Sequence, residues 1–136
     1  MATLLITHDM AVVAESCDRM LVMYGGQIVE AGITGEVLKA PRHPYTRGLL
    51  ESLPALGRPE DRLTEIPGSA PSPTSWPQGC RFHPRCGDVM ERCRSESPPA
   101  IVSKAGSPAR ASRCWLCDAP QRGGASPGTS DGNTGP

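Results

Sequence analysis

The chain has 136 residues, and its 14 basic and 14 acidic side chains give no net charge at neutral pH. Balanced charge and an aromatic content of only 4% exclude the basic field and stacking surfaces of a typical nucleic-acid-binding protein. No apolar run is long enough to span a bilayer or to form the core of a signal peptide. We therefore expect a reducing compartment, in which the six cysteines bind metal or react instead of forming disulfides.

The apolar run Thr3–Thr7 is short and has β-branched ends, a pattern typical of a buried strand in a parallel sheet. His8 follows directly, so this strand would present it at the carboxyl edge of the sheet, where open α/β proteins bind ligands. Histidine there can donate a hydrogen bond to a phosphate or orient a water. On local sequence alone, the simpler interpretation is a histidine at a helix entry with no special task.

A helix and a β-hairpin are predicted next. Asp9 is a good N-cap for a helix over residues 10–16. Its buried face is expected to carry Val12, Val13 and Cys17. Two apolar runs, Arg19–Tyr24 and Gln27–Ala31, are joined by two glycines, which accept the positive φ angles of a tight turn and so predict a hairpin.

Two short helices follow in the prediction. Thr34 is expected to cap the first, which runs through Lys39 and is ended by Pro41. The second runs over about residues 44–53 with proline in its first turn. His43, just before it, is expected to be a capping or surface residue and not a ligand.

Four cysteines lie in a segment with few apolar side chains: Cys80, Cys86, Cys93 and Cys114. Burial orders such a segment weakly, and a metal could supply the missing free energy. Four thiolates suit either Zn²⁺ or a four-iron, four-sulfur cluster. The spacings of five and six residues are wider than in usual zinc pairs, which favours the 4Fe-4S cluster.

Residues around these cysteines extend the metal hypothesis. Four arginines are predicted to favour ligation by lowering thiol pKa values: Arg81, Arg85, Arg92 and Arg94. Phe82 and Trp115 could shield the site from water. Cys117 leaves open which cysteine of the Cys114–Cys117 pair is the ligand, and we favour Cys114. His83 is a weaker alternative ligand, and Cys17 is expected to be a buried apolar residue.

The runs Leu5–Glu15 and Asp18–Glu30 together resemble the end of the nucleotide-binding domain of ABC transporters. In that family a strand leads into a switch histidine, which a helix and a hairpin follow. The resemblance implies that His8 is this histidine. It would be both the catalytic and the nucleotide-binding residue, contacting the γ-phosphate of ATP and helping to set the attacking water.

The run His43–Pro54 looks like the hallmark extension of oligopeptide and dipeptide importer ATPases of the peptide/nickel group. The run Gly79–Cys86, with Cys93 and Cys114, is similar to their cysteine-bearing tail, whose cysteines are assigned to an iron–sulfur cluster. The chain thus resembles a C-terminal fragment of such a subunit. The resemblance implies ATP and Mg²⁺ as cofactors of the parent protein, and peptides as the default solute, although some relatives carry nickel.

The same resemblance implies partners and a location. The partners are a second ATPase subunit, transmembrane permeases and a periplasmic or lipid-anchored solute-binding protein, and the location is peripheral, at the cytoplasmic face of the membrane. The expected fold is α/β, a remnant of a nucleotide-binding domain followed by an irregular cysteine-rich module. Its segments are residues 1–33 as the end of that domain, 34–57 as a helical extension, 58–79 as linker, 80–117 as the metal module and 118–136 as a disordered tail.

The chain contains no G-x-x-x-x-G-K-[ST] motif, whose backbone amides cradle phosphates, and no signature motif. We therefore expect that the chain alone neither binds ATP tightly nor hydrolyses it. One alternative is a free-standing iron–sulfur or zinc module with a regulatory or interaction role, which predicts that residues 1–56 fold by themselves. Another is a non-functional product of a truncated gene.

Overall fold

A computed structural model of the chain describes residues 1–53, 65–102 and 110–118. Its helices are α1 (Met10–Ser16), α2 (Thr34–Lys39), α3 (Pro44–Glu51) and α4 (Glu91–Ser95). Its strands are β1 (Arg19–Tyr24), β2 (Gln27–Ile33), β3 (Ile101–Val102) and β4 (Ala111–Ser112). Two 3₁₀ turns cover His83–Arg85 and Trp115–Cys117. The predicted tail beyond residue 118 and the start of the predicted linker, 58–64, lie outside the described residues.

The predicted hairpin of β1 and β2 is confirmed. The strands pair antiparallel from Arg19 opposite Ile33 to Tyr24 opposite Gln27. Gly25 and Gly26 form the turn with φ angles of 56° and 74°, a conformation that glycine adopts without the strain a side chain would add. The side chains of β1 alternate between buried and exposed, so one face of the hairpin is committed to the core.

The core lies between this hairpin face and the cysteine-bearing segment. Its buried members are Met20, Val22, Tyr24, Val29, Val37 and Phe82. Phe82 stands edge-on to Tyr24, with ring centroids 5.0 Å apart. In addition, β4 pairs with β2, and the described strands form one sheet in the order β1-β2-β4-β3. The cysteine-rich segment therefore contributes to the core through Phe82 and to the sheet through β4.

The predicted strand Thr3–Thr7 does not form. These residues are exposed and have no strand assignment. A strand exists only by pairing with a neighbour, and the described sheet is antiparallel throughout and does not reach this segment. The fold is thus mixed α and β, as expected, but the described residues contain no parallel sheet.

Capping residues and prolines predicted the positions of the helices more accurately than the apolar pattern predicted which of their residues are buried. Asp9 caps α1 as predicted, accepting hydrogen bonds from the amides of Ala11 and Val12. The expected buried face of α1 forms only in part: Val13 is half-buried and packs against the core, whereas Val12 is 40% exposed. Cys17, which follows α1, is half-buried.

The helices α2 and α3 lie close to the predicted positions. Thr34 does not cap α2: it is the first residue of the helix, and its buried hydroxyl has no partner among the described residues. His43 caps α3 through Nδ1, which accepts from the amide of Tyr45 at 3.0 Å. His43 is fully buried, so the alternative of a surface residue is wrong. None of the described helices combines the length and apolar character needed to cross a bilayer.

Candidate functional site

The backbone brings three of the predicted cysteine ligands together. The amide of Cys80 donates to the carbonyl of Cys93 at 2.8 Å, which ties the start of the segment to α4. Between them, the 3₁₀ turn after Phe82 ends at Cys86, whose amide donates to the carbonyl of His83 at 3.3 Å. A short helix and a short turn thus hold the three cysteines where burial alone would not order them.

All four predicted cysteines line one small cavity of about 10 Å³. Cys114 reaches it from the far end of the segment, directly after β4 has paired with β2. Most of the remaining lining is aromatic, imidazole or apolar: His43, Pro44, Phe82, His83, Pro98, Trp115 and Leu116. Phe82 and Trp115 therefore line the same cavity as the cysteines, beside which the sequence analysis expected them.

The thiols of this cavity are held in an environment that disfavours thiolate. Burial raises the pKa of Cys80, and the backbone amide of Phe82 opposes this effect. Burial likewise raises the pKa of Cys86, which the backbone amide of Asp88 partly offsets. Cys80, Cys86 and Cys93 lie close enough for their charges to interact. Without a cation, the cavity therefore favours neutral thiols.

Cys114 and Cys117 form a coupled pair. A side-chain hydrogen bond between them raises the pKa of Cys114, with burial adding to the effect. The same hydrogen bond lowers the pKa of Cys117 to about 6, although its burial acts against this. The pair therefore loses its first proton from Cys117. Cys114 is a lining residue of the cavity, whereas Cys117 is not among those residues.

The four arginines near the cysteines have other partners. Arg81 donates to the carbonyl of Gly25 and lies over the ring of Trp76. Arg85 donates to the carbonyl of Pro67 at 2.8 Å. Arg92 pairs with Glu96, and Arg94 pairs with Glu91. The predicted lowering of thiol pKa values by arginine is wrong for Cys80 and Cys86, because burial dominates there.

A buried carboxylate that the sequence analysis missed supports the cavity wall. Glu30 accepts from the amides of Arg42 at 2.9 Å and His43 at 3.0 Å. Arg110 donates to the same carboxylate at 3.2 Å, and both side chains are almost completely buried. Glu30 lies on β2 among apolar neighbours, and nothing in its local sequence distinguishes it from a solvent-facing strand residue. The strand shows no regular alternation that would reveal its burial, because the adjacent Val29 is also buried while Ile28 is exposed.

His43 is the second residue whose position was not foreseen. It lines the cavity and is fully buried. Burial lowers its pKa to about 4, against smaller opposite effects from the Glu30 carboxylate and the backbone of Arg113. Its Nδ1 accepts from Tyr45, and its buried Nε2 has no hydrogen-bond partner of acceptable geometry among the described residues.

His8 lies apart from this site. It is exposed, directly before the cap of α1, and the strand expected to present it is not formed. The structure leaves its ring accessible, and its role stays a prediction.

No group of three or more His, Cys, Asp or Glu side chains in residues 1–53, 65–102 and 110–118 is arranged to hold a metal ion. The four thiols share a cavity, but they do not form a ready-made site for one metal.

Comparison with known proteins places this arrangement in a family. Residues 29–93 match the model of the oligopeptide/dipeptide transporter C-terminal region. The chain is 46% identical over 113 residues to the oligopeptide transport ATP-binding protein AppD of Bacillus subtilis, covering 83% of the chain and 34% of that protein. Residues 29–93 therefore belong to the oligopeptide/dipeptide transporter C-terminal family. The chain is also 47% identical over 98 residues to the dipeptide transport ATP-binding protein DppD of Escherichia coli, covering 72% of the chain and 30% of that protein.

The oligopeptide/dipeptide transporter match includes most of β2, the run His43–Pro54 and the first three cysteines of the cavity. A DppD protein of Caldanaerobacter subterraneus is 48% identical over 96 residues, covering 71% of the chain and 29% of that protein. The chain spans about a third of the length of these relatives.

Proposed function

We propose that this chain acts as the C-terminal part of an ATPase subunit that energises peptide uptake. The observation that carries the proposal is 46–47% identity to ATP-binding proteins of oligopeptide and dipeptide transport over most of the chain. ATP and Mg²⁺ would be the cofactors of the whole subunit. The magnesium ion would neutralise charge on the transferred phosphate. This chain's contribution to that chemistry would be His8.

His8 is proposed to contact the γ-phosphate and to orient the attacking water. Its exposed ring, fixed one residue before the cap of α1, supports this role because it is free to meet a nucleotide bound by another part of the subunit. The preceding run Thr3–Thr7 would pair as a strand only when the rest of the ATPase subunit is present. Alone, we expect the chain to show no magnesium-dependent ATP turnover.

A chimera tests the proposal, with this chain replacing the matching region of DppD from Escherichia coli. We expect the chimera to hydrolyse ATP, and His8→Ala to lower its turnover number by about 10²-fold or more. His83→Ala is the matched control and should leave turnover close to the parent value. An active chimera in which His8→Ala changes nothing would remove His8 from the mechanism.

The proposed partners are a second ATPase subunit, transmembrane permease subunits and a periplasmic or lipid-anchored solute-binding protein. The subunit would then be peripheral, at the cytoplasmic face of the membrane. The names of the relatives support a peptide or dipeptide as the solute. Copurification of the chimera with the permeases, and uptake of labelled dipeptide by cells that lack DppD, test the assembly.

For the cysteine cavity we propose a 4Fe-4S cluster bound by Cys80, Cys86, Cys93 and Cys114. Their shared cavity supports this ligand set, as does their lining of aromatic and apolar side chains. In such a cluster each cysteine binds a different iron, so its ligands lie further apart than those of one zinc ion. When bound, the cluster would supply one-electron chemistry or structural cross-linking.

Anaerobic purification with iron, sulfide and zinc analysis tests the ligand set. We expect about four iron and four sulfide per chain, and loss of both when Cys80 or Cys93 is changed to serine. Cys117→Ser should keep the cluster and Cys17→Ser is the matched control. Zinc without iron would replace the cluster with a zinc site, and cluster loss in Cys117→Ser alone would exchange Cys117 for Cys114.

A further inference from the structure

The imidazole of His43 has one polar atom, Nε2, that makes no well-formed hydrogen bond within the described residues. Its Nδ1 accepts a hydrogen bond from the amide of Tyr45 at 3.0 Å, so Nδ1 carries no proton. The neutral ring must then carry its proton on Nε2. That N–H is buried and has no acceptor of suitable geometry among the described residues. Buried donors without an acceptor are rare in folded proteins and call for a physical account.

The ring is also held rigidly. The amide of His43 donates to the Glu30 carboxylate at 3.0 Å, and Arg110 pairs with that carboxylate at 3.2 Å. On its other side the ring packs against Phe82, with centroids 5.7 Å apart. Contacts to the backbone, the cap and the ring face thus fix where Nε2 lies. A donor positioned by so many contacts is organised in advance for its acceptor.

The surroundings of His43 contain few candidate acceptors. The backbone carbonyl of Arg113 lies near the imidazole, but Nε2 makes no hydrogen bond of acceptable geometry to it. The carboxylate of Asp88 also lines the cavity, but it is half-exposed and paired with Arg47 at 3.2 Å. His83 Nδ1 already lies 2.9 Å from the carbonyl of Cys80. A water in this cavity would need two or more polar partners, but the lining is dominated by sulfur, aromatic and apolar groups. The abundant acceptor is sulfur.

We propose that Nε2–H of His43 donates a hydrogen bond to a sulfur of the thiolate-bound centre in this cavity. This inference rests on the proposed cluster. His43 would act as a positioning residue and would tune the centre, since hydrogen bonds to cluster sulfurs and the residues behind the ligands set affinity and reduction potential. The first residue of the His43-Pro-Tyr motif would thus serve both the helix cap and the cavity.

One substitution separates the two roles of His43. In His43→Asn the short amide oxygen can still cap α3, since asparagine is among the best N-caps, but no donor reaches the cavity. The full chain is loaded anaerobically with ferrous iron and inorganic sulfide. We expect the variant to lose iron to a chelator about tenfold or more faster than the parent, and its centre to have a more negative midpoint potential. The metal-free proteins should melt at similar temperatures.

His83→Asn is the matched control, because its imidazole lines the same cavity but already contacts the Cys80 carbonyl. It should retain the parent potential. Equal changes in both variants, or a potential and iron-loss rate unchanged in His43→Asn, would overturn the assignment of His43 while leaving the cluster in place. A parent chain that takes up neither iron nor sulfide would refute the cluster itself and this inference with it. If Nε2 donates only to the Arg113 carbonyl, the midpoint potential and the iron-loss rate of His43→Asn will match those of the parent.

Discussion

Residues 1–9 and residues 80–118 differ in a way that apolar content does not explain. The first segment contains the apolar run Thr3–Thr7 and is exposed along its whole length. The second is poor in apolar side chains, yet Phe82 and Cys93 are buried in it and β4 joins the hairpin sheet. Burial therefore depends on whether a partner surface is present, and the hairpin provides one for the cysteine segment only.

The partner surface of the cysteine segment is partly polar. The carboxylate of Glu30 joins β2 to the chain before α3 and to Arg110 before β4, so one buried group links three segments, of which His43 lines the cavity. Such a network tolerates no missing member, because each lost partner leaves a buried charge or donor unpaired. The following experiments test whether this polar support, the backbone geometry or local capping distinguishes the two segments.

The largest effect is expected from Glu30→Ala. The change leaves Arg110 buried without its carboxylate, and two backbone amides lose their acceptor. We expect the free energy of unfolding to fall by about 3–5 kcal/mol, measured by urea denaturation of the metal-free chain. Glu96→Ala removes a half-exposed partner of Arg92 and should cost less than about 1 kcal/mol. Equal losses in the two variants would contradict a special role for the buried pair.

The next effect concerns Gly79, whose φ of 74° starts the cysteine segment. A Cβ there would overlap the carbonyl of Cys93, the acceptor of the Cys80 amide. We expect Gly79→Ala to destabilise the chain by about 3 kcal/mol, from backbone strain and overlap together, and to weaken iron loading. Gly87→Ala is the control, since nothing lies within 4 Å of its Cβ position. Iron loading that is unchanged by Gly79→Ala would show that the link between Cys80 and Cys93 is dispensable.

A pH titration gives a smaller effect. The unfolded chain protonates His43 near pH 6.5, whereas the folded chain, in which burial lowers the pKa to about 4, does so later. Between these values the unfolded state binds more protons, so stability falls as pH falls. His43 should contribute about 2 kcal/mol of the stability lost between pH 7 and pH 5. The total loss should shrink by that amount in His43→Asn and keep its full size in His83→Asn. Part of the remaining loss is expected from Cys117, whose pKa is lowered to about 6.

The sequence predicted those features that depend on neighbouring residues. The double glycine located the hairpin turn, Asp9 located the start of α1, and proline located the start of α3. The four cysteines also share one cavity, because short turns and one strand pairing bring them together. The sequence did not reveal that Glu30 is buried, since this depends on Arg110 across an 80-residue separation. It wrongly predicted a strand at Thr3–Thr7, because an apolar run forms a strand only where another strand is available to pair with it.

The smallest effect is expected at Asp9, the last residue of the first segment, and it tests whether local sequence stabilises α1. The carboxylate of Asp9 accepts from the amides of Ala11 at 2.9 Å and Val12 at 3.3 Å, although no residue of α1 is buried. We expect Asp9→Ala to cost α1 about 1 kcal/mol, which corresponds to roughly fivefold faster hydrogen exchange of the Val13 amide. Asp9→Asn should retain the slow exchange because it keeps the capping oxygen. Identical exchange in all three proteins would mean that α1 depends on its contacts with α2 and that the cap contributes nothing, which would leave local sequence no influence on this part of the chain.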